Sequence, residues 1–435
     1  MSSLLRNRWI RIQLVATILY ICAQIDKSNI AVAFPGMRAD LGLTATELGF
    51  AVGMFAWGYL ALQIPVGRLT SAWSAKRTII LLGVCWSIVS ATTALVQTET
   101  QLIVNRLMLG MSEGGILPAI VVVMRGWFTQ RERARANLAL LGTPIAAAIG
   151  NAVCGLAVSY VGWRLMFVVT AIPSLLWCAV WWWAVEDDPR QSAWLDPATK
   201  LALVTELDAE AQRAPVLQQH WFRSMWNPTV IILSIYNLLG LTAFWGLTFW
   251  LPTLLVEGGR TIGLAGVLAS IPYVVSVGMA FLISASSDRM QERRWHLIVP
   301  TVLAGLFMCG AALFGEGHLL VLLFCLTMTT GLWFGRITIY WIMVADAVPR
   351  SVAGPSMAVA NGIGNFGGFL GPLMFGWLRT TSGGFHGAML IGGLLYVGAG
   401  LLAVLVQEQK NGRGANRMAD HEAGIPKVVL AVGGQ

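Results

Sequence analysis

Residues Arg106 to Pro118 read RLMLGMSEGGILP and lie inside a stretch, Leu102 to Met124, whose other residues are mostly apolar or small. An α-helix rises 1.5 Å and turns 100° per residue, so Arg106 and Glu113 would lie about 10 Å apart on nearly the same face. A charge near the centre of a bilayer costs at least ~2.5 kcal/mol. Each of these charges therefore needs a partner on another helix, a water-filled cavity or a charged ligand, which indicates a polar path through a membrane.

The composition also indicates a membrane protein. Of the 435 residues, 56% are hydrophobic and only 11% are charged. A helix needs about 20 mostly apolar residues to cross the core of a bilayer. Twelve stretches meet this requirement, at residues 10–34, 47–67, 78–97, 102–124, 137–160, 165–185, 229–252, 261–285, 297–315, 318–345, 353–377 and 386–406. We therefore predict an all-α membrane protein with twelve transmembrane helices.

Lysine and arginine are distributed unequally between the two sides of this topology. The loops of one side hold only Arg38, Arg164, Arg260 and Arg379. The other side holds Arg6, Arg8, Arg11, Arg68, Lys76, Arg77, Arg125, Arg131, Arg133, Arg135, Arg289, Arg293, Arg294 and Arg350. Because cytoplasmic loops are enriched in these residues, we expect cytoplasmic N and C termini in a plasma membrane, most simply a bacterial inner membrane. The same pattern explains the net charge of +8, so we expect the lipid bilayer and no nucleic acid as a partner.

A polar segment divides the chain into two halves. We assign residues 1–185 to an N-terminal six-helix bundle, 186–228 to a cytoplasmic linker, 229–406 to a C-terminal six-helix bundle and 407–435 to a cytoplasmic tail. Within the linker, Asp196 followed by Pro197 is a typical helix start, and Leu201, Val204 and Leu207 would form one apolar stripe. We expect a short helix along the inner face.

Two motifs recur at nearly equal offsets in the two halves. Lys76-Arg77 returns as Arg293-Arg294, and Ile149-Gly150-Asn151 returns as Ile363-Gly364-Asn365. Parallel repeats of this kind form two bundles with a small-molecule site between them near the midplane.

Together, several motifs resemble the anion:cation symporter family of the major facilitator superfamily. They are Asp26-Lys27-Ser28-Asn29, Arg106 with Gly110, Glu113 and Pro118, Gly162-Trp163-Arg164, and Asn361-Gly362-Ile363-Gly364-Asn365-Phe366-Gly367-Gly368. Ser287-Asp288-Arg289 and Glu292-Arg293-Arg294-Trp295-His296 are similar to the branch that carries tartrate, phthalate and 4-hydroxyphenylacetate. The resemblance implies the major facilitator fold, alternating access and uptake of a small carboxylate with protons.

The chain departs from this family pattern in the loop after the second span. The superfamily usually has an acid and an arginine where this sequence has Ser71 and Ala72. The second-half copy keeps Asp288-Arg289. We therefore do not assign the usual gating role to the loop from Gly67 to Arg77.

Asp26, Arg106 and Glu113 would form a ladder of charges descending from the outer surface to the bilayer centre. Desolvation favours the protonated form of a buried carboxyl, whereas a nearby cation favours its ionised form. Asp26 and Glu113 could therefore change protonation as Lys27 or Arg106 engages or releases an anion. The resemblance also implies that these two acids are the proton-coupling residues. The alternative is that Asp26 and Lys27 are members of a structural ion pair.

Arg336 lies too deep in the tenth span to reach the interface easily, at about 16 Å from its inner end. We expect it to face the cavity and to bind a carboxylate, unless an acid elsewhere pairs with it. The resemblance implies substrate contacts at Lys27, Tyr59, Trp341 and Asn361. Arg336 with Lys27 would suit a dicarboxylate, whereas the tryptophan-rich tenth span would suit an aromatic acid.

These features predict a monomeric secondary transporter that imports a small organic anion by proton symport. We expect no cofactor besides the coupling proton, no metal site and no catalytic residues, because no nucleophile–base set, metal cluster or phosphate loop is visible. Two alternatives remain, an exporter of the same fold and a transporter-like sensor. Exporters of this fold usually carry Gly-x-x-x-Gly-Pro-x-x-Gly-Gly in the fifth span, which this chain lacks.

Overall fold

The computed structural model describes residues 7–138, 143–212, 226–315, 317–349 and 352–406. The predicted tail, part of the linker and Arg350 lie outside these ranges, and the assignment of domain boundaries stays a prediction. The described residues form seventeen α-helices: α1 Val15–Ser28, α2 Ile30–Leu41, α3 Ala45–Ala72, α4 Ala75–Thr92, α5 Glu99–Glu113, α6 Ile116–Trp127, α7 Gln130–Leu138, α8 Thr143–Ala184, α9 Pro197–Gln212, α10 Pro228–Glu257, α11 Ile262–Met290, α12 Arg294–Phe314, α13 Leu319–Gly335, α14 Ile337–Asp346, α15 Ala353–Asn365, α16 Gly367–Ser382 and α17 His386–Ala403.

The helices account for the twelve predicted spans. Ten helical segments among the described residues are long and apolar enough to cross a membrane. One of them, α8, has 42 residues and is interrupted at Gly162, where φ is +76°, so it crosses twice. The glycine-rich pair α15 and α16 supplies the eleventh span. The all-α class and the multi-pass arrangement are therefore confirmed.

Among the described residues, four spans are broken near their middle, and they carry all the predicted site residues except Tyr59, which lies in the continuous helix α3. Span 1 breaks at Asn29 between α1 and α2, and span 4 breaks at Gly114-Gly115 between α5 and α6. Span 10 breaks at Arg336, and span 11 breaks at Phe366. Discontinuous helices at mid-membrane depth are a common element of transporter binding sites.

The two halves are held together mainly along two seams, α3 with α16 and α8 with α11. Glycines allow the paired helices to approach closely in both seams. A Cβ atom added at Gly49 would overlap the carbonyl group of Pro372, and one added at Gly155 would lie 2.8 Å from Cα of Gly266. Both seams involve the ends of the helices near Arg38 and Arg164. We call this end of the bundle the opposite face, and the end with Lys76, Arg125 and Arg289 the basic face.

The linker helix α9 forms as predicted, but it packs differently. The side chain of Asp196 accepts a hydrogen bond from the backbone N–H of Thr199 at 3.1 Å, as expected of a cap. Leu203 is buried, whereas Leu201 is 70% exposed, so the predicted stripe is wrong at Leu201. The reason is the ion pair between Arg133 and Glu210 (2.8 Å), which ties α9 to α7 and turns the face of Leu203 inward.

The loop after span 2 is anchored within its own half. Ser74 Oγ and the backbone N–H of Lys76 both donate hydrogen bonds to the carboxylate of Asp187, the second of them at 2.7 Å. Asp187 follows span 6, so an acid from another part of the first half binds this loop. In this chain, with Ser71 and Ala72 at the departing positions, the loop is thus anchored by Asp187.

Candidate functional site

Lys27 lies in the last turn of α1, directly before the break in span 1, and its ammonium group is surrounded by aromatic rings. Lys27 Nζ is 5.3 Å from the ring centroid of Phe55, 5.0 Å from that of Tyr59 and 4.5 Å from that of Trp245. Phe55 and Tyr59 belong to α3 in the first half, whereas Trp245 belongs to α10 in the second. Within the described ranges no carboxylate lies at ion-pair distance from Nζ. The ammonium can therefore accept an anion between the two halves.

The space beside Lys27 is a cavity of about 20 Å³. Its lining combines both halves: Lys27, Val52, Phe55, Ala56, Tyr59, Trp245, Phe249, Asn365 and Gly368. A volume of this size holds about one water molecule. An organic anion can therefore enter only when the rings on the two sides of Lys27 separate.

Asp26 is adjacent in sequence to Lys27, but its carboxylate points into the first half. It is 1% exposed. Four side chains donate hydrogen bonds to it, Trp86 Nε1 (2.9 Å), Ser174 Oγ (2.8 Å), Asn29 Nδ2 (3.2 Å) and Ser90 Oγ (3.3 Å). Because α4 and α8 both contribute donors, this network joins spans 1, 3 and 6. Neighbouring side chains therefore occupy both carboxylate oxygens of Asp26 as hydrogen-bond acceptors.

Arg106 is held by neutral oxygen atoms. Its Nη2 atom donates to Thr93 Oγ1 at 2.7 Å and to Asn105 Oδ1 at 3.0 Å, and its guanidinium lies 5.6 Å from the ring centroid of Phe167. The side chain is 1% exposed and is not part of the lining beside Lys27. The predicted contact of Arg106 with substrate thus has no direct counterpart in this arrangement.

Glu113 is the last residue of α5, beside the break in span 4. It is 4% exposed, and its Oε1 atom has no hydrogen-bond partner among the described residues. The charges of Asp26, Lys27 and Arg106 all act on this carboxyl group. A buried oxygen without a partner costs about 1–3 kcal/mol. Glu113 therefore differs from Asp26 in retaining an oxygen that is free to take a proton.

Arg336 is located in the second half, away from the cavity that we expected it to face. It is completely buried, with Cζ 3.3 Å from the ring centroid of Trp333, 5.1 Å from that of Tyr236 and 5.4 Å from that of Tyr340. Tyr236 and Trp245 are nine residues apart on α10, which separates the surroundings of Arg336 and Lys27 by about 13 Å along that helix. The structure does not bring Lys27 and Arg336 together.

The environment of Arg336 leaves its charge incompletely balanced. Its Nε, Nη1 and Nη2 atoms have no hydrogen-bond partner in the described part of the chain. A desolvated cation–π contact contributes about 2 kcal/mol, whereas removing an ion from water costs several kcal/mol even after relaxation. The aromatic rings therefore compensate this cation only in part.

The remaining predicted contacts lie on different sides of the cavity. Tyr59 lines it, as predicted. Trp341 is half-buried against Tyr340 at 4.9 Å between ring centroids, and Asn361 is half-buried one helical turn before Asn365. Asn365, rather than Asn361, lines the cavity.

Of the nine lining residues, only Lys27 and Tyr59 were predicted as site residues. Three of the seven others, Phe55, Trp245 and Asn365, supply a ring beside the Lys27 ammonium or a polar group. Asn365 belongs to the quoted eleventh-span motif, and its spacing of four from Asn361 would have placed both on one helix face. Phe55 is likewise four residues from Tyr59. Trp245 has no distinguishing signal, because the chain contains 19 tryptophans.

Side-chain contacts between the halves close the opposite face. The Glu257 carboxylate accepts hydrogen bonds from Arg379 (Nη2, 2.8 Å) and from Arg38 (Nη1, 3.3 Å). Thr46 and Thr380 are linked at 3.0 Å between hydroxyl oxygens. Arg38 and Thr46 belong to the first half, and the other three residues belong to the second. Together with the two glycine seams, these contacts, which we call the latch, join the halves on the far side of the cavity from the basic face.

Comparison with known proteins agrees with this architecture. A model of the Major Facilitator Superfamily matches residues 16–372. A protein of Agrobacterium vitis that is named for tartrate transport is 28% identical, over 93% of this chain and 92% of its own. The quinolone resistance transporter of Acinetobacter baumannii is 27% identical, over 84% of this chain and 86% of its own.

A solved structure shows the same fold. The bacterial homolog to the human lysosomal transporter Spinster, in an inward-facing and unoccupied conformation, superposes with a TM-score of 0.76 at 18% identity, covering 91% of this chain and 96% of that one. The similar proteins are transporters and not enzymes. The chain therefore belongs to the Major Facilitator Superfamily and is a multi-pass membrane transporter.

Proposed function

We propose that this protein carries a small organic anion across a bacterial inner membrane together with one or more protons, by alternating access of its two halves. The observation that carries the proposal is the Lys27 ammonium group, which lies between aromatic rings of both halves with no carboxylate partner among the described residues. A cation at the interface of the halves favours an anion that binds both of them. The similarity to a protein named for tartrate transport supports a carboxylate.

The anion would bind with its carboxylate at Lys27 and its remaining atoms against the rings. Asn365 and the Tyr59 hydroxyl supply hydrogen bonds, and Trp245 supplies a flat apolar wall. A few placed polar groups in an apolar cavity are typical of small-molecule sites. Because the α10 rings that contact Arg336 and Lys27, Tyr236 and Trp245, are about 13 Å apart along that helix, we do not expect a small dicarboxylate to bridge the two cations in this arrangement. The position of Trp245 favours acids with an apolar or aromatic body.

Glu113 is the proton carrier in this mechanism, and Asp26 is a positioning residue. A positive charge at Lys27 would favour the ionised form of a nearby carboxyl such as that of Glu113. When an anion neutralises Lys27, that stabilisation is lost, and uptake of a proton by Glu113 becomes more favourable. Because linkage between two binding events is reciprocal, protonation of Glu113 strengthens anion binding to the same extent. Asp26 already accepts four hydrogen bonds and lacks a free oxygen for this role.

The basic face is cytoplasmic in this proposal. The latch at Glu257 then closes the outer side, and the anion leaves toward the cytoplasm after Glu113 releases its proton. An inward proton gradient would drive import, the proton is the only coupling partner, and one chain contains the complete pathway.

Uptake into proteoliposomes tests the proposal. An inward proton gradient should accelerate uptake of a labelled carboxylate from a panel that contains tartrate and aromatic acids. Lys27→Met should lower affinity by at least about 30-fold, which is on the order of 2 kcal/mol for a buried charge contact. Lys200→Met, in the linker helix α9, is the matched control and should behave as the unaltered protein. If no carboxylate in the panel responds to the gradient, proton-coupled anion import is wrong.

Export is the second candidate, because one similar protein is named for quinolone resistance. An exporter of this kind would exchange its substrate against protons rather than carry both in one direction. The same vesicles decide between the two, since preloaded substrate would leave faster when the outside is acidic. Faster loss under that gradient, without accelerated uptake, would replace import by export.

A further inference from the structure

The second half contains a polar cluster that transport at Lys27 does not use. Three nitrogen atoms of Arg336 and the hydroxyl groups of Tyr340 and Tyr396 are buried without hydrogen-bond partners in the described residues. Arg336 and Tyr396 are completely buried. Five potential donor atoms thus come from the break in span 10, from α14 and from α17.

The cluster has a positive charge but no acid. The groups that act electrostatically on Arg336 are the three tyrosines Tyr236, Tyr340 and Tyr396. The hydroxyl of Tyr236 is already hydrogen-bonded to Thr301. Asp346 is exposed and ten residues farther along the same span, about 15 Å away. The charge therefore lacks a counter-ion among the described side chains.

The geometry leaves the N–H groups of Arg336 available. Arg336 Cζ lies over the Trp333 ring at 3.3 Å from its centroid, and this contact leaves Nε, Nη1 and Nη2 without a hydrogen-bond acceptor among the described residues. Arg336 is the single residue between α13 and α14, so the opposite partial charges of the two helix ends offset each other there. The free N–H groups and the uncompensated charge of Arg336 favour an anion.

We propose that Arg336, with the hydroxyl groups of Tyr340 and Tyr396, forms a second anion site that accepts one small anionic group. Two sources share this chemistry, chloride and a single carboxylate of the transported acid. The site is distinct from the Lys27 cavity, because about 13 Å of α10 separates their aromatic contacts. Its occupant would link α13, α14 and α17 at the point where span 10 is broken, and would thereby stabilise the second half.

Thermal unfolding of the purified full-length protein tests this site. The Lys27→Met variant is used so that binding at the first site does not contribute. Sodium chloride and sodium tartrate are titrated separately at constant ionic strength, which is maintained with sodium HEPES because its anion is too bulky for a buried site. Either salt should raise Tm by about 1–3 °C at saturation. Chloride alone identifies a free inorganic anion, and tartrate alone identifies the transported acid.

Two further variants determine whether Arg336 is responsible. Adding Arg336→Met to Lys27→Met should abolish the rise in Tm. The double change Tyr340→Phe and Tyr396→Phe, again with Lys27→Met, keeps the aromatic packing and should raise the half-saturating salt concentration at least tenfold. It remains informative if Arg336→Met does not fold. The proposal is overturned if neither salt raises Tm of Lys27→Met, if the rise survives the loss of Arg336, or if the loss of both hydroxyls leaves the half-saturating salt concentration unchanged. None of these outcomes depends on whether transport is proton-coupled.

Discussion

At the scale of single residues, the two intramembrane acids of the first half differ in what surrounds them. Asp26 has donors on α4 and α8, whereas Glu113 lies beside the glycine break of span 4 with Oε1 unpaired. The two groups are similar in sequence terms, because each is a carboxylate in an apolar stretch. Because of this difference in hydrogen bonding, the proposed mechanism uses Glu113 as the proton carrier and Asp26 as a positioning residue.

Glu113→Gln should abolish accumulation driven by a proton gradient. The amide has nearly the same shape but cannot carry a proton, so binding and exchange of anion across the membrane should survive within about threefold. Counterflow in proteoliposomes without a gradient measures exchange, and uptake with a gradient measures coupling. Gradient-driven accumulation at the unaltered level would remove Glu113 from the mechanism.

Asp26→Asn should mainly affect folding. The new NH2 group would face side chains that now donate to a carboxylate, leaving at least one buried donor unsatisfied. The free energy of unfolding should fall by about 1–3 kcal/mol, observed as a lower Tm in detergent. Glu113→Gln, measured in parallel, should change Tm less. An unchanged Tm for Asp26→Asn would show that its four hydrogen bonds are not a structural requirement.

At the scale of helices, breaks and glycine seams determine how the site is built. The breaks at Asn29 and Gly114-Gly115 place Lys27 and Glu113 at helix ends, where backbone geometry can adjust. The seams bring α3 onto α16 so closely that no Cβ fits at Gly49. The glycines of span 11 behave unequally: a Cβ at Gly367 would lie 2.6 Å from the backbone nitrogen of Thr242, whereas one at Gly362 would have no described atom within 4 Å.

Gly49→Ala should impair transport by at least about tenfold. Its methyl group meets backbone rather than a movable side chain, so α3 and α16 must separate and the closed opposite face becomes less favourable. Gly278→Ala is the matched control, since nothing lies within 4 Å of a Cβ there and alanine favours a helix over glycine. Uptake rates of both variants, normalised to folded protein, provide the measurement. Equal rates would mean that this seam does not need such close contact.

At the scale of the whole molecule, the proposed mechanism gives the latch a role in the balance between two alternating states. Glu257 joins the halves through its ion pair with Arg38 and is also paired with Arg379 of its own half, and all three side chains are partly exposed. Surface ion pairs of this kind contribute about 1 kcal/mol or less each. A contribution of that size changes a two-state equilibrium about fivefold without affecting either folded half.

Glu257→Gln should therefore increase access from the opposite face about fivefold. A suitable reporter is Val52→Cys, which places a thiol in the cavity lining, in a background whose six cysteines are replaced by alanine. The rate of reaction with a membrane-impermeant maleimide added at the opposite face is measured. Asp40→Asn is the matched control, because it removes the ion pair with Arg164 inside the first half. If both changes accelerate labelling equally, the latch has no special role.

The sequence by itself determined the class of the protein, its twelve spans and the charged residues that a membrane protein must explain. The sequence is sufficient for these properties because each residue has its own hydropathy and its own free-energy cost of burial, and these contributions add along a helix. The departure from the family pattern at Ser71 and the helix cap at Asp196 are also local features, and the sequence alone shows both.

Only the tertiary structure decided which partner each charge has. Asp26 is satisfied by α4 and α8, Lys27 meets Trp245 from the other half, and Arg336 lies among aromatic rings instead of facing the cavity. These outcomes depend on the rotation of each helix about its axis and on close approach at the seams. Such quantities are set by packing between segments far apart in sequence, so no local pattern contains them.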